Sequence, residues 1–151
     1  EVPLDEFFVG PKRTALGSNE LILEVILPVP GPLTAGSFVK LGRRKALAIS
    51  VASAAAMVAL DLDENRCGEA RLAVGSVAPT PRRCYSAEAV LRGLRLSTDL
   101  REKCAYAVKG EISPITDGRA TAWYRREVAP VLVRRAIVSA VRAAGGQIEE
   151  G

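Results

Sequence analysis

Most of this chain's potential for chemistry lies in one short basic stretch. Gly42 lies among four cations, which are Lys40, Arg43, Arg44 and Lys45. Glycine allows a tight turn whose backbone can approach a ligand closely, and cations held by packed flanks can stabilise an electron-rich or anionic ring system. We call residues 40–45 the basic turn. The alternative is a solvated hairpin loop, which composition alone favours, because exposed charges contribute little.

The rest of the sequence excludes several kinds of catalytic site. The chain has no histidine, and its three cysteines form no C-x-x-C pair, which removes most zinc, haem and histidine-based acid–base chemistry. Ser50 and Ser53 therefore lack a histidine partner. The acidic stretch 61–64 lacks the remaining ligands of a calcium loop, so turn formation is the simpler explanation. We predict no catalytic residue and no metal ligand.

Charge and hydropathy narrow the class of protein further. The net charge is +4, but the arginine doublets are spread along the chain, which argues against a nucleic-acid interface. The longest apolar run, 46–60, is 15 residues long, and a membrane span needs about 20. No signal segment opens the chain and few cysteines are present, so we expect a reduced, cytoplasmic setting without membrane or nucleic-acid partners. The start without methionine indicates a cut or split polypeptide.

The first half of the chain is predicted to form strands. Apolar β-formers at Leu21–Leu27 predict a strand that the Pro/Gly stretch 28–36 ends. A second short strand is predicted over Ser37–Leu41. Ile49–Leu60 and the alternating stretch Glu69–Val77 flank a polar turn and therefore predict a hairpin, although the many alanines of its first strand are poor strand formers.

The second half is predicted to be helical. Ser86 is a candidate N-cap for 87–91, Ser97 or Thr98 for 99–109, and Thr121 for a helix that ends near Ala144 before two glycines. Pro130 predicts a kink or break in that last helix. Strands first and helices last predict an α+β fold, with a small antiparallel sheet of three to four strands followed by about three packed helices.

Four ordered motifs resemble a known family. They are Pro3–Pro11, Phe38–Ser50, Leu72–Pro81, and Pro114–Arg126 with the following 132–136. Together they are similar to the FAD-binding subunits of molybdenum hydroxylases, which include carbon monoxide dehydrogenase medium subunits, xanthine dehydrogenase FAD subunits and nicotinate dehydrogenases. The match runs through nearly the whole chain in the right order.

The resemblance implies a place in a larger oxidoreductase. Residues 1–30 match the tail of the family's FAD-binding domain, and residues 31–151 match the flavoprotein C-terminal domain. In such an enzyme, electrons pass from a molybdopterin subunit through 2Fe–2S clusters to FAD, and then to NAD or another acceptor. The implied partners are the N-terminal FAD-binding region, the iron–sulfur subunit and the molybdenum subunit. The family's glycine-rich phosphate loops lie in that N-terminal region and are missing from this sequence, so the chain alone should bind FAD poorly.

The resemblance also implies which residues face the cofactor. Ile22 matches a position near the adenine, and Lys40 and Arg43 match the stretch that approaches the flavin ring. The residues matching the segment beside the ring are Leu47, Ala48 and Ile49. Some relatives carry aspartate where this chain has alanine or leucine, which makes the local field here more positive. Two alternatives stay open: a structural docking domain with no cofactor contact of its own, and an unrelated anion- or nucleic-acid-binding module.

Overall fold

The computed structural model describes residues 1–44, 48–61, 63 and 65–149. The chain begins with one helical turn, α1 (Leu4–Phe7), and a small antiparallel hairpin formed by β1 (Phe8–Gly10) and β2 (Arg13–Thr14). Residues 15–33 then form no helix or strand. The remaining residues carry the main sheet and the three larger helices.

The main sheet has four antiparallel strands in sequential order. They are β3 (Thr34–Gly42), β4 (Ser50–Asp61), β5 (Arg66–Gly75) and the short β6 (Arg82–Arg83). In the register of the central strand, Ala54 lies opposite Val39 on one side and Val74 on the other. The predicted hairpin between β4 and β5 is therefore confirmed.

The alanines of β4 serve the packing of the sheet against a helix. Alternate residues of this strand are buried, namely Ala52, Ala54, Ala56, Val58 and Leu60. Small side chains allow a helix to pack close to the sheet, and β-propensity depends on such packing more than on the backbone alone. This is why a strand rich in a poor strand former is stable here.

Three helices follow the sheet, as predicted. They are α2 (Tyr85–Leu91), α3 (Thr98–Ala107), which continues into a 3₁₀ turn at Val108–Gly110, and α4 (Ala122–Ala143). The Ser97 hydroxyl accepts a hydrogen bond from the Leu100 N–H at 3.1 Å. The Thr121 hydroxyl likewise accepts one from the Tyr124 N–H at 3.1 Å, so both predicted caps are confirmed. The Ser86 cap was wrong, because α2 begins two residues earlier than predicted and Cys84 occupies its N-cap position without a side-chain hydrogen bond.

Helix α4 lies across β3 and β4 and contributes one face to the core. Its buried apolar residues are Ala129, Leu132, Val133, Ala136, Ile137, Ala140 and Val141. Of the kink or break predicted at Pro130, the break was wrong, since α4 continues through this residue, and the kink stays a prediction. One proline removes only one hydrogen bond of the helix, and the packed turns on both sides of it offset that loss. No helix in the described ranges is long and apolar enough to cross a membrane.

The predicted strand over Leu21–Leu27 was also wrong. These residues have no strand assignment, and Leu23 is 88% exposed. A strand needs a neighbour to hydrogen-bond with, and no other part of the described chain pairs with this one. We call residues 21–29 the apolar segment, because most of its members are large hydrophobic residues exposed to solvent.

Candidate functional site

The basic turn starts inside β3, whose last three residues are Lys40–Gly42, and its described part continues to Arg44. Lys45 lies outside the described residues. The register of β3 and β4 shifts between Leu41 and Gly42, and Gly42 then lies opposite Ser50. A Cβ atom on residue 42 would lie 2.5 Å from the Cβ of Ala48, which is closer than two carbon atoms can pack. Glycine is therefore required here for the two chain segments to approach each other.

Two cations of the basic turn are held by backbone carbonyl groups. The Lys40 ammonium donates to the carbonyl oxygen of Ala48 at 3.3 Å. The Arg43 guanidinium donates through Nη1 to the carbonyl oxygen of Gly118, also at 3.3 Å, although 75 residues separate the two in sequence. Both cations remain exposed. The turn therefore carries positive charge at a defined position that solvent can reach.

The structure brings four of the six predicted cofactor residues to the same end of the sheet. Lys40 and Arg43 lie there together with half-buried Ala48 and with Ile49, whose side chain is 65% exposed. Leu47 lies outside the described residues. Ile22 belongs to the apolar segment, is 57% exposed and is not part of the hydrophobic core. The assignment of these residues to a cofactor stays a prediction.

A buried arginine lies next to this end of the sheet. Arg125, in α4, is only 4% exposed. Its Nη1 donates to the carbonyl oxygens of Val51 at 2.9 Å and Ser76 at 2.6 Å. Its Nη2 donates to the Asp117 carboxylate at 2.7 Å. One guanidinium thus joins the start of β4, the residue after β5 and the loop that precedes α4.

Asp117 organises that loop. Its Oδ1 atom accepts hydrogen bonds from the backbone N–H groups of Arg119 at 2.9 Å and Ala120 at 3.2 Å, besides the bond from Arg125. The Arg119 N–H, the Arg125 guanidinium and the Ala120 N–H together lower the pKa of Asp117 from 3.8 to about 2. The carboxylate is therefore ionised at neutral pH, and the loop is fixed around it.

The three cysteines offer no reactive thiolate. Burial raises the pKa of Cys67 to about 11 and the pKa values of Cys84 and Cys104 to about 12. A nucleophile or metal ligand needs the thiolate form, which these buried thiols disfavour. Within the part of the chain that the structure describes, no group of three possible metal ligands comes together.

Sequence reasoning missed Asp117 and Arg125, although a signal for them existed. Arg125 follows the Thr121 cap by four residues and so lies in the first turn of α4, which holds no acidic residue. The positive end of the helix dipole disfavours an arginine at that position. An arginine there indicates an acceptor outside the helix, and Asp117 is the nearest acidic residue upstream.

Comparisons with known proteins identify the class of protein. The model of the CO dehydrogenase flavoprotein C-terminal domain matches residues 37–140. The range covers most of the main sheet, all of α2 and α3, most of α4, and the loop that Asp117 organises. The chain therefore belongs to the CO dehydrogenase flavoprotein C-terminal domain family, and the predicted resemblance and fold class are confirmed.

Individual relatives agree with this assignment. The putative xanthine dehydrogenase FAD-binding subunit XdhB of Escherichia coli is 32% identical over 149 residues, covering 98% of this chain and 50% of the relative. The glyceraldehyde dehydrogenase medium chain of Sulfolobus acidocaldarius is 35% identical over 132 residues, covering 87% of this chain and 45% of the relative.

Solved structures resemble the chain in the same way. The carbon monoxide dehydrogenase of Hydrogenophaga pseudoflava, in a form that lacks the Mo-pyranopterin moiety of its molybdenum cofactor, superposes with a TM-score of 0.85 at 30% identity. That alignment covers 93% of this chain and 47% of the other. The chain thus spans about half the length of the curated relatives it matches, and it is homologous to FAD subunits of molybdenum hydroxylase oxidoreductases.

Proposed function

We propose that this chain is the C-terminal part of the FAD subunit of a multi-subunit molybdenum hydroxylase. In that enzyme electrons would pass from iron–sulfur clusters through FAD to NAD or another acceptor. Family membership supports the subunit type, and the basic turn supports a cofactor contact within this chain. One observation supports the cofactor contact: Lys40 and Arg43 both donate hydrogen bonds to backbone carbonyl groups at one end of the sheet.

The residues of the basic turn fit the redox-active end of a flavin. Gly42 packs against Ala48 and so fixes the course of the turn, and exposed Ile49, at the same end of the sheet, offers an apolar surface for an aromatic ring system. Bound FAD would supply the two-electron redox chemistry. Lys40 and Arg43 would place positive charge beside it, and a positive field in a partly desolvated cleft favours the state with more negative charge.

The proposal assigns roles to the remaining predicted residues. Residues 1–30 would form the tail of the FAD-binding domain, and residues 31–151 the flavoprotein C-terminal domain. The exposed apolar segment supports this division, because exposed apolar surface of this kind usually marks an interface. Ile22 would lie near the adenine in that interface, while Leu47 and Ala48 would lie beside the flavin ring.

The alternative is a docking domain that never contacts the cofactor. The apolar segment favours this alternative equally well, since it would bury itself against a neighbouring region whether or not FAD lies nearby. The two functions differ in what the basic turn does. A docking domain would tolerate the loss of the Lys40 and Arg43 charges without any change at the flavin.

The test is a redox titration of the complete enzyme carrying Arg43→Met or Lys40→Met. Removing a cation beside the flavin should lower its reduction potential, because the more negative state loses its nearest positive charge. A shift of about 30 mV in a two-electron couple corresponds to roughly 1.4 kcal/mol, a reasonable size for one charge. We also expect the dissociation constant for FAD to rise.

Arg142→Met provides a charge-matched control. This exposed arginine lies 17 positions after Arg125 in the same helix, which is about 25 Å along the helix axis. It should leave the potential and the FAD affinity unchanged. If Arg43→Met and Lys40→Met behave like Arg142→Met, the basic turn is a surface loop and the docking function is the better description.

A further inference from the structure

Two charged side chains are buried in the described part of the chain, and they have different surroundings. Glu88, which is 2% exposed, accepts hydrogen bonds from the Leu72 N–H at 2.9 Å and from the Arg83 guanidinium at 2.7 and 3.0 Å. These contacts join α2 to the adjacent strands β5 and β6, and packing of the fold explains them. Arg125 is different. Two of its acceptors, Val51 and Asp117, lie close in sequence to Ala48 and Gly118, whose carbonyl oxygens accept the hydrogen bonds of Lys40 and Arg43.

The first connection runs through β4. Arg125 holds the carbonyl group of Val51, the second residue of that strand. Ala48 lies three residues earlier, and its carbonyl oxygen is the acceptor for the Lys40 ammonium. The bond from Arg125 therefore fixes the strand end from which the Lys40 acceptor extends.

The second connection runs through the loop before α4. Arg125 holds Asp117, and Asp117 holds the backbone of Arg119 and Ala120. The Asp117 N–H also donates to the carbonyl oxygen of Ala120 at 3.1 Å, which closes the loop. Gly118 lies inside this loop, and its carbonyl oxygen accepts the hydrogen bond from Arg43.

We propose that Arg125 and Asp117 are positioning residues for the basic turn. Arg125 and Asp117 determine where the acceptors of Lys40 and Arg43 lie, and hence where the two cations are held. The inference rests on the proposed function in one respect only, namely that the cations face FAD. The link between the Asp117 loop and the turn is a property of this chain and can be measured separately.

Asp117 is the better residue for the test, because its side chain is partly exposed and its removal leaves no cavity in the core. In the complete enzyme, Asp117→Ala removes the acceptor for all four donors, because the Arg119 guanidinium also donates to Asp117 Oδ2 at 3.2 Å. Asp117→Asn removes the charge but keeps an oxygen acceptor at the Oδ1 position, which serves the Arg125 guanidinium and the two backbone N–H groups. The matched control is Glu102→Ala, because Glu102 also accepts hydrogen bonds from an α4 arginine, Arg134, at 3.0 Å, but joins α4 to α3 instead.

We expect Asp117→Ala to weaken FAD binding roughly tenfold and to shift the flavin potential in the direction that Arg43→Met does, because displacement of a positioned group by about 1 Å is costly. Asp117→Asn should restore most of the affinity. A purely electrostatic role would make the Asn and Ala variants equal. A purely structural role would lower the melting temperature in Asp117→Ala and Glu102→Ala alike and leave the FAD dissociation constant unchanged. Either result overturns the inference.

Limited digestion with trypsin separates this inference from the proposed function. Faster cleavage after Arg43 in Asp117→Ala, but not in Glu102→Ala, supports the link between the loop and the turn, even where Arg43→Met shows that FAD is not contacted. Equal cleavage rates in the parent and Asp117→Ala overturn the link. Where Arg43→Met changes the flavin and Asp117→Ala does not, the proposed function survives and the positioning role is wrong.

Discussion

Asp117 illustrates how the same carboxylate can serve both structure and pH response. Its Oδ1 atom accepts two backbone hydrogen bonds and one from the Arg125 guanidinium. A neutral carboxyl group cannot accept these donors as well as an ionised one, so the folded state holds the proton less tightly than the unfolded chain does. The charged groups that contact Asp117 are Arg119 and Arg125, and arginine keeps its charge at every pH of interest. The titration is therefore that of Asp117 itself.

We predict that Asp117 contributes stability that acid removes. Its pKa is lowered from 3.8 to about 2 on folding, so the contribution is fully present above pH 3.8 and is lost as the pH falls towards 2. Melting temperatures of the parent and of Asp117→Asn, measured from neutral pH downwards, should differ by a constant amount at first. The two curves should converge over that acid range. A difference that stays constant down to pH 2 would contradict the prediction.

At the scale of elements, α4 decides whether the fold is stable. This helix packs on β3 and β4, and both the sheet and the helix contribute alanines together with larger apolar side chains to their shared core. Val128 and Val131 of α4 are only half-buried, and Val128 packs against the edge of the core. We predict that the half-buried part of α4, which includes Val131, contacts a partner.

We predict that Ile137→Asp prevents stable folding. Ile137 is fully buried against the sheet, and a carboxylate there would have neither water nor a cation beside it. The cost of several kcal/mol is comparable to the total stability of a small domain, about 5–15 kcal/mol. The measurement is soluble yield followed by thermal denaturation. The control is Ser139→Asp, because Ser139 is exposed and lies two residues further along α4; this variant should fold normally. Equal melting temperatures for the two variants would show that the Ile137 face is not part of the core.

At the scale of the whole molecule, the sequence predicted the order of elements better than their partners. The change of hydrophobic period and the caps at Ser97 and Thr121 are local signals, and the structure confirms them. Leu21–Leu27 has the composition of a strand, but hydrogen-bonding partners are not a local property, and the described chain offers none. The role of Arg125 was not predicted for the same reason, since its acceptors lie 74, 49 and 8 residues away in sequence. Of the cofactor residues, the motif placed Lys40 and Arg43 in one turn, and the structure adds the acceptors that hold them.

We predict that these 151 residues, prepared alone, do not retain one flavin per chain. FAD affinity in nucleotide-binding folds depends on backbone N–H groups of glycine-rich loops that hold the pyrophosphate, and no such motif occurs in this sequence. The basic turn offers two exposed cations, each worth about 0–1 kcal/mol in a surface ion pair. Their sum falls short of the roughly 4 kcal/mol that even a 1 mM dissociation constant requires.

Absorbance of the purified chain and a fluorescence titration with FAD provide the measurement. Preparing the chain together with the N-terminal half of the subunit should restore the yellow colour, because that half would carry the phosphate contacts and cover the apolar segment. Stoichiometric flavin on the chain alone would mean that the pyrophosphate is held by groups other than a glycine-rich loop, and the division of FAD contacts between the two halves would have to be redrawn.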